Sequence, residues 1–329
     1  MPDSQTAALQ TAALAVPARV IPLPGTISEQ SRQVLANPRI VMPTQFPALD
    51  DSAAWKTLIA EIDQHVEKML MAALPKQGYE VRTRLIAGVT TFEVTPAGVS
   101  ESDPRVFLEF HGGGFSLGGG EGCRLMAIGM ALRIGARVIS VDYRMPPDHP
   151  FPAALDDAMA VYRGLLESYA PENIVVGGIS AGGGITAALA LRARDEGLPM
   201  PAGLVLMTPG VDLTGSGDTF HTLLGIDPVL PTPVSEMFQL YAGDTPLDHP
   251  YVSPVLGQFD AGFPPTFLQS GTRDLLLSNT VRMHRALRKA GVAAELHVFE
   301  AMPHGGFGGT PEDLEVTMEL RRFLAMCWE

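Results

Sequence analysis

The chain has 329 residues, of which 46% are hydrophobic and 18% are charged. The length predicts one large domain or two ordinary ones, and the composition excludes an intrinsically disordered chain. The net charge of −13 repels phosphate backbones and anionic lipid heads, so we expect neither nucleic-acid nor membrane partners. A neutral or cationic small molecule is a more compatible substrate.

Cysteine usage and the N-terminus indicate a cytoplasmic protein. Cys123 and Cys327 lie far apart and form no CxxC pair or disulfide framework, which fits a reducing compartment. No Lys or Arg precedes the first apolar stretch, and Asp3 stands where a signal peptide carries positive charge. We expect residues 1–27, which are punctuated by prolines, to form a poorly ordered extended arm.

The first predicted elements are a helix and a hairpin. Apolar residues recur with a period of about 3.6 from Ser52 to Leu74, which predicts an amphipathic helix. Two β-rich runs follow, Tyr79–Ile86 and Val89–Thr95, and the Ala-Gly pair between them predicts a hairpin.

Strand-like and helical segments then alternate. The strand-like segments are Val106–Phe110, Arg137–Val141, Asn173–Gly177, Leu204–Thr208, Thr266–Gln269 and Ala294–Phe299. The helical segments are Glu121–Ile134, Pro152–Ser168, Ala181–Asp195, Ser278–Ala290 and Pro311–Met326. This alternation predicts an α/β chain with a mostly parallel central sheet and helices on both faces.

Residues 211–250 interrupt the alternation with five prolines and short amphipathic pieces. An insertion at the carboxyl end of a central strand lies above the place where α/β sheets bind ligands. We therefore expect a helical cap made of this insertion and of the arm and helices in residues 1–75. The core under the cap would consist of residues 76–210 and 251–329.

Residues 178–182 read Gly-Ile-Ser-Ala-Gly and match the nucleophile-elbow pattern G-x-S-x-G. A sharp strand-to-helix turn holds such a serine in a strained conformation and pushes its hydroxyl out of the sheet. The residues two before and two after it then approach each other closely, so both must be very small. Ser180 is therefore the candidate nucleophile, although the same five residues also fit a glycine-rich turn without catalysis.

A second glycine-rich segment, His111–Gly114, directly follows a predicted strand. Consecutive glycines let backbone N–H groups point into a cavity, which an oxyanion hole requires. Ala181, directly after the candidate nucleophile, is expected to supply a further N–H. By itself the segment also fits a flexible loop, but its position before the elbow favours an oxyanion hole.

The other members of a catalytic triad should follow in the order serine, acid, histidine. Asp274 comes after one predicted strand and His304 after the next. Asp274 also fits the N-cap of a helix, and His304 also fits an ordinary turn. We predict Asp274 as the acid and His304 as the base. Two other acids compete with Asp274: Asp212 at the entry to the cap, and Glu300 four residues before the histidine, a poor position from which to face the imidazole.

Five blocks in this order resemble the bacterial hormone-sensitive-lipase-like (family IV) carboxylesterases of the α/β-hydrolase fold. The blocks are His111–Phe115 (HGGGF), Val141–Ala154 (VDYRMPPDHPFPAA), the Ser180 pentapeptide, Arg273–Leu276 (RDLL) and Met302–Phe307 (MPHGGF). The similarity runs from about residue 80 to the C-terminus, and more loosely through the N-terminal cap.

The resemblance implies the α/β-hydrolase fold with a helical cap, and it assigns the oxyanion hole to the N–H groups of Gly113, Gly114 and Ala181. It also implies homodimers through the last strand and helix. No metal-ligand spacing or nucleotide-phosphate loop occurs in the sequence, so we expect neither a metal nor a cofactor.

One short segment and two residues depart from the family pattern. The segment, Met145–Asp148, is a mild variant in which Asp148 keeps the carboxylate of the usual Glu one carbon shorter. Ile179 replaces the Asp or Thr that usually precedes the serine, so it cannot make their polar contacts to nearby loops. Glu109 occupies a position that is often aromatic, on the same strand face as His111. We expect Glu109 to form a local hydrogen bond or to meet solvent; if it is buried instead, its pKa should be raised.

These features together predict a serine carboxylesterase for short to medium acyl esters, acting through an acyl-enzyme. A lactone or amide hydrolase that uses the same triad is the nearest alternative. A ligand-binding receptor on the same fold is an alternative from another class, although the presence of Asp274 and His304 argues against it.

Overall fold

The structure, a computed structural model, describes residues 14–37, 42–43 and 45–329. The first thirteen residues of the predicted arm lie outside the described residues. Residues 14–27 form no helix or strand, as the arm predicts.

The helices and strands alternate largely as the sequence predicts. The helices are α1 (Glu29–Ala36), α2 (Ser52–Ala73), α3 (Glu121–Ile134), α4 (Ala153–Leu166), α5 (Ala181–Asp195), α6 (Thr219–Thr222), α7 (Ser235–Ala242), α8 (Leu277–Lys289) and α9 (Pro311–Cys327). The strands are β1 (Tyr79–Ile86), β2 (Val89–Pro96), β3 (Val106–Phe110), β4 (Val138–Val141), β5 (Ile174–Ile179), β6 (Gly203–Met207), β7 (Thr266–Gly271) and β8 (Ala294–Phe299). Helix α1 was not predicted, and most other boundaries differ from the prediction by one or two residues.

The strands form one eight-stranded sheet in the order β1-β2-β4-β3-β5-β6-β7-β8. The hairpin strands β1 and β2 pair antiparallel, and so do β2 and β4. Every other pair is parallel. The prediction of a mostly parallel sheet is therefore confirmed.

The hydrophobic core has two parts, one on each face of the sheet. Alternate residues of a strand point to opposite faces, and in β5 Val176 packs with one part while Val175 packs with the other. Helices α4, α5 and α8 contribute to the first part, and α3 and α9 to the second. The central strands are buried on both sides, which explains their nearly continuous apolar sequences.

Local sequence signals set where the last helix begins. Helix α9 starts with a capping box, in which the Thr310 side chain accepts from the backbone of Asp313 and the Asp313 carboxylate accepts from Thr310 N–H. Pro311 occupies the first turn, where no N–H is needed.

Within the residues that the structure describes, no helix combines the length and the apolar character that crossing a bilayer requires.

Candidate active site

Ser180 lies at the sharp turn between β5 and α5, with φ 56° and ψ −117°. A methyl group added to Gly178 would lie 2.4 Å from the Phe110 carbonyl oxygen, and one added to Gly182 would lie 1.8 Å from the same atom. Both contacts are shorter than atoms allow, and the obstacle is backbone. The glycines on either side of Ser180 are therefore sterically required, as the elbow pattern predicts.

The structure brings the three predicted triad residues together. His304 Nε2 lies 2.8 Å from Ser180 Oγ, although the two residues are 124 positions apart in the chain. On the other side of the ring, His304 Nδ1 lies 2.8 Å from Asp274 Oδ1. Asp274 is fully buried, and its carboxylate also accepts from Leu276 N–H at 2.9 Å and from the Ser270 hydroxyl at 2.6 Å. This chain of contacts can carry a proton away from the serine hydroxyl.

The charge around His304 favours its protonated form. Burial opposes protonation of the imidazole, but the nearby Asp274 carboxylate, assisted by Asp227, outweighs burial and raises the pKa of His304 above its ordinary value. A base whose protonated form is stabilised in this way is suited to hold a proton during catalysis.

The glycine loop that follows β3 borders the same space. Gly113 and Gly114 have φ values of 119° and 59°, which few other residues adopt. A methyl group at Gly113 would lie 2.2 Å from the Leu117 carbonyl oxygen. Within the described ranges, the N–H groups of Gly113 and Gly114 donate to no other protein group. They are free to bind an anionic oxygen, and Ala181 opens α5, where helix N–H groups also lack intrahelical partners.

A cavity of about 360 Å³ opens above Ser180 and His304. Its wall is almost entirely apolar and comes from the glycine loop, from α2 and from residues 229–238. The residues that line it from α2 and from residues 229–238 are Ile62, Asp63, Val66, Met69, Val229, Leu230, Val234, Met237 and Phe238. A larger groove of about 860 Å³ lies elsewhere, and no triad residue borders it. The smaller cavity is the one that adjoins the reactive groups.

Comparisons with known proteins agree with this geometry. A family model for the alpha/beta hydrolase fold matches residues 107–307. A carboxylesterase of Mycobacterium tuberculosis is 35% identical over 276 residues, which cover 80% of this chain and 84% of that protein. An acetyl-hydrolase of Streptomyces hygroscopicus is 34% identical over 207 residues, which cover 62% of this chain and 69% of that protein.

The chain belongs to the α/β-hydrolase family. The crystal structure of an esterase superposes with a TM-score of 0.86 at 35% identity, covering 95% of this chain and 98% of that one. An esterase from the bacterial hormone-sensitive lipase family superposes with a TM-score of 0.81 at 30% identity, covering 92% of this chain and 100% of that one. The predicted family and fold are confirmed, and the names of these relatives bear out the prediction of an ester-hydrolysing enzyme.

The two competing acids lie away from the imidazole in this α/β hydrolase. Asp212 is buried, but its carboxylate accepts from Thr214 and Ser216 and pairs with Arg282. Glu300 is exposed to solvent. Asp274 is therefore the one of the three candidate acids that contacts His304.

The two residues that depart from the family pattern, Ile179 and Glu109, have different environments. Ile179 lines the cavity, and a methyl group on Gly112 would lie only 3.1 Å from its Cγ2 atom, so it supports the glycine loop by apolar contact. Glu109 is buried, with one carboxylate oxygen that has no hydrogen-bond partner among the described residues. Burial raises the pKa of Glu109 to about 7, and the nearby Ser140 hydroxyl only partly opposes this.

Two groups of potential metal ligands occur within the described residues. One consists of His111, Cys123 and Asp142, and the other contains the triad's own acid and histidine together with Asp227. The ring of His111 instead stacks on Tyr143 with centroids 4.2 Å apart, and its Nδ1 lies 2.8 Å from the Gly112 carbonyl oxygen. These contacts support the glycine loop, which is the role that a buried neutral histidine can fill.

Two acids near the site were not singled out from the sequence. Asp63 lies among the apolar positions of α2, four residues after Ile59 and three before Val66, and such a carboxylate on an apolar face is a detectable signal. Asp227 interrupts an apolar run before Pro228, a pattern typical of an ordinary turn. Its proximity to the triad has no sequence signal.

Proposed function

We propose that this α/β hydrolase is a serine carboxylesterase. His304 accepts the Ser180 proton as the hydroxyl attacks the ester carbonyl, and Asp274 holds the imidazole in the required tautomer. The N–H groups of Gly113, Gly114 and Ala181 bind the oxyanion, with each donor contributing about 3 kcal/mol to the transition state. His304 then protonates the leaving alcohol, and water attacks the acyl-enzyme in a second cycle.

The observation that carries this proposal is the unbroken chain of contacts from Ser180 through His304 to Asp274, at the floor of an apolar cavity. Its volume of about 360 Å³ is near the small end of ligand pockets, which range from about 300 to 1,000 Å³, and favours short to medium acyl chains. The predicted cap of residues 1–75 and 211–250 is supported, within the described residues, by α2 and α7, which both line the cavity. A cytoplasmic location and dimers through β8 and α9 stay predictions.

The test is a panel of nitrophenyl esters of increasing acyl length, compared with lactones and anilides at equal concentration. We expect the highest kcat/KM on an ester of short to medium chain. Faster turnover of a lactone or an anilide would favour the alternative hydrolases.

An organophosphate probe separates an enzyme from a receptor on the same fold. We expect the probe to label Ser180 in the wild type, to fail with Ser180→Ala, and to label a Ser102→Ala control normally, because Ser102 is an exposed loop residue. An unlabelled wild type would favour the receptor.

A further inference from the structure

A second carboxylate, that of Asp227, is built into the interior beside the triad. Asp227 is 1% exposed and belongs to the 211–250 segment. Its Oδ1 accepts from Val229 N–H at 2.9 Å and from Leu230 N–H at 3.3 Å, and both of these residues line the cavity. Its Oδ2 accepts from Leu275 N–H at 2.8 Å. Asp227 therefore connects the cavity wall to the loop that carries Asp274.

The two carboxylates share this loop. Leu275 N–H donates to Asp227, and the next N–H, that of Leu276, donates to Asp274. One oxygen of each carboxylate and one ring nitrogen of His304 all lie within 4.8 Å of one another. The imidazole of His304 thus has two buried acidic groups beside it.

The charge state of Asp227 follows from its partners. Burial, together with the neighbouring Asp274 carboxylate, leaves the pKa of Asp227 above its ordinary value, although His304 and the bonds from Leu275 and Val229 lower it. All three hydrogen bonds are donated to the carboxyl group, and bonds of this kind favour the ionised form. Asp274 and Asp227 both raise the pKa of His304.

We propose that Asp227 is a positioning residue for the reaction, a second carboxylate that stabilises the imidazolium of His304 and fixes the loop bearing Asp274. This inference rests on the proposed function, because it assigns Asp227 a part in that same proton transfer. Asp227 does not touch Ser180 or the substrate carbonyl. Its effect reaches the reaction through the charge and the position of the histidine.

The experiment measures kcat/KM on nitrophenyl butyrate from pH 4.5 to 9 for the wild type, Asp227→Asn and Asp227→Glu. Removing one of two negative charges should move the acidic limb of the profile to lower pH by about one unit in Asp227→Asn. One unit corresponds to about a factor of ten in the stability of the imidazolium, so the plateau should also fall by up to about tenfold. Asp227→Glu keeps the negative charge, so the acidic limb of its pH–rate profile should stay near the wild-type position.

The matched control is Asp212→Asn, which neutralises another buried acid of the same segment that pairs with Arg282 instead of facing His304. The acidic limb of the pH–rate profile of Asp212→Asn should stay at the wild-type position. If Asp227→Asn does not fold, Asp227→Ser serves as the neutral variant, because a serine hydroxyl can still accept from the turn at Val229.

An acidic limb that stays in place in the neutral variant, or that moves equally in Asp212→Asn, would overturn the inference and leave the proposed function intact. A wild-type rate no higher than that of Ser180→Ala would overturn the proposed function, and the inference with it.

Discussion

Gly118 N–H donates to Asp63 Oδ1 at 2.8 Å, so that a carboxylate from helix α2 holds the loop that begins with Gly112, Gly113 and Gly114. The two residues are 55 positions apart in the chain. Helix α2 therefore contacts the glycine loop as well as forming part of the cavity wall.

Asp63→Ala removes this bond, and we expect kcat on a short ester to fall by about tenfold, because a hydrogen bond to a charged group contributes about 1.5–3 kcal/mol. The KM should change less, since the apolar wall is retained. Steady-state kinetics test this, with the exposed Glu61→Ala on the same helix as the control. A normal kcat in Asp63→Ala would mean that the loop holds its shape without the carboxylate.

Ser180→Ala should abolish ester hydrolysis, because no other hydroxyl contacts His304 Nε2 within the described residues. Loss of a serine nucleophile costs on the order of a million-fold in kcat in the subtilisin case. The variant should keep the wild-type melting temperature, which a thermal scan verifies. Turnover near the wild-type rate would contradict the assignment of the nucleophile.

The pH dependence of activity should follow the neutral form of His304. Because its pKa is raised above 6.5 in the folded protein, kcat/KM should rise with pH through a midpoint above 6.5. The same shift makes the charged imidazole stabilising: this contribution is complete below pH 6.5 and is lost as the pH rises through the folded-state pKa. A pH–rate profile tests the midpoint, and full activity at pH 4 would be incompatible with this base.

Glu109→Gln should change how stability depends on pH. The pKa of Glu109 is raised from 4.5 to about 7 in the folded state, so the wild type loses stability as pH rises between these values. The loss amounts to about 3 kcal/mol at most, and the neutral glutamine avoids it.

Urea unfolding at pH 4.5 and pH 8 tests this expectation. The stability of Glu109→Gln relative to the wild type should rise by up to about 3 kcal/mol between the two conditions. The exposed Glu167→Gln serves as the control and should show no such gain. Parallel curves for Glu109→Gln and the wild type would show that Glu109 has the same charge in the folded and unfolded states.

Met237 should limit the acyl length. It lines the cavity, and a methyl group on Gly114 would lie 2.4 Å from its Cε atom, so its side chain packs directly against the glycine loop. Met237→Ala enlarges this space and should move the best nitrophenyl ester to a longer acyl chain. The exposed Met318→Ala should leave the preference unchanged. An unaltered chain-length profile in Met237→Ala would place the acyl group elsewhere.

The sequence alone determined the order of the strands and of most helices, the elbow at Ser180 and the glycine loop. These features depend on local rules: the period of apolar residues sets the element type, and close backbone approach demands glycine at Gly178 and Gly182. The positions of Asp274 and His304 after successive strands also followed, because the carboxyl ends of parallel strands meet at one edge of the sheet.

Only the tertiary structure decided what surrounds the imidazole, and it brought the predicted acid, Asp274, into contact with the ring. Asp212, Glu300 and Asp274 all follow strands in the sequence, and packing alone directs Asp274 to His304. Likewise, Asp63 and Asp227 reach the site from separate parts of the chain, through bonds to Gly118 and Leu275. Burial and contacts between distant segments arise only when the chain packs in three dimensions, and the local period of apolar residues does not predict them.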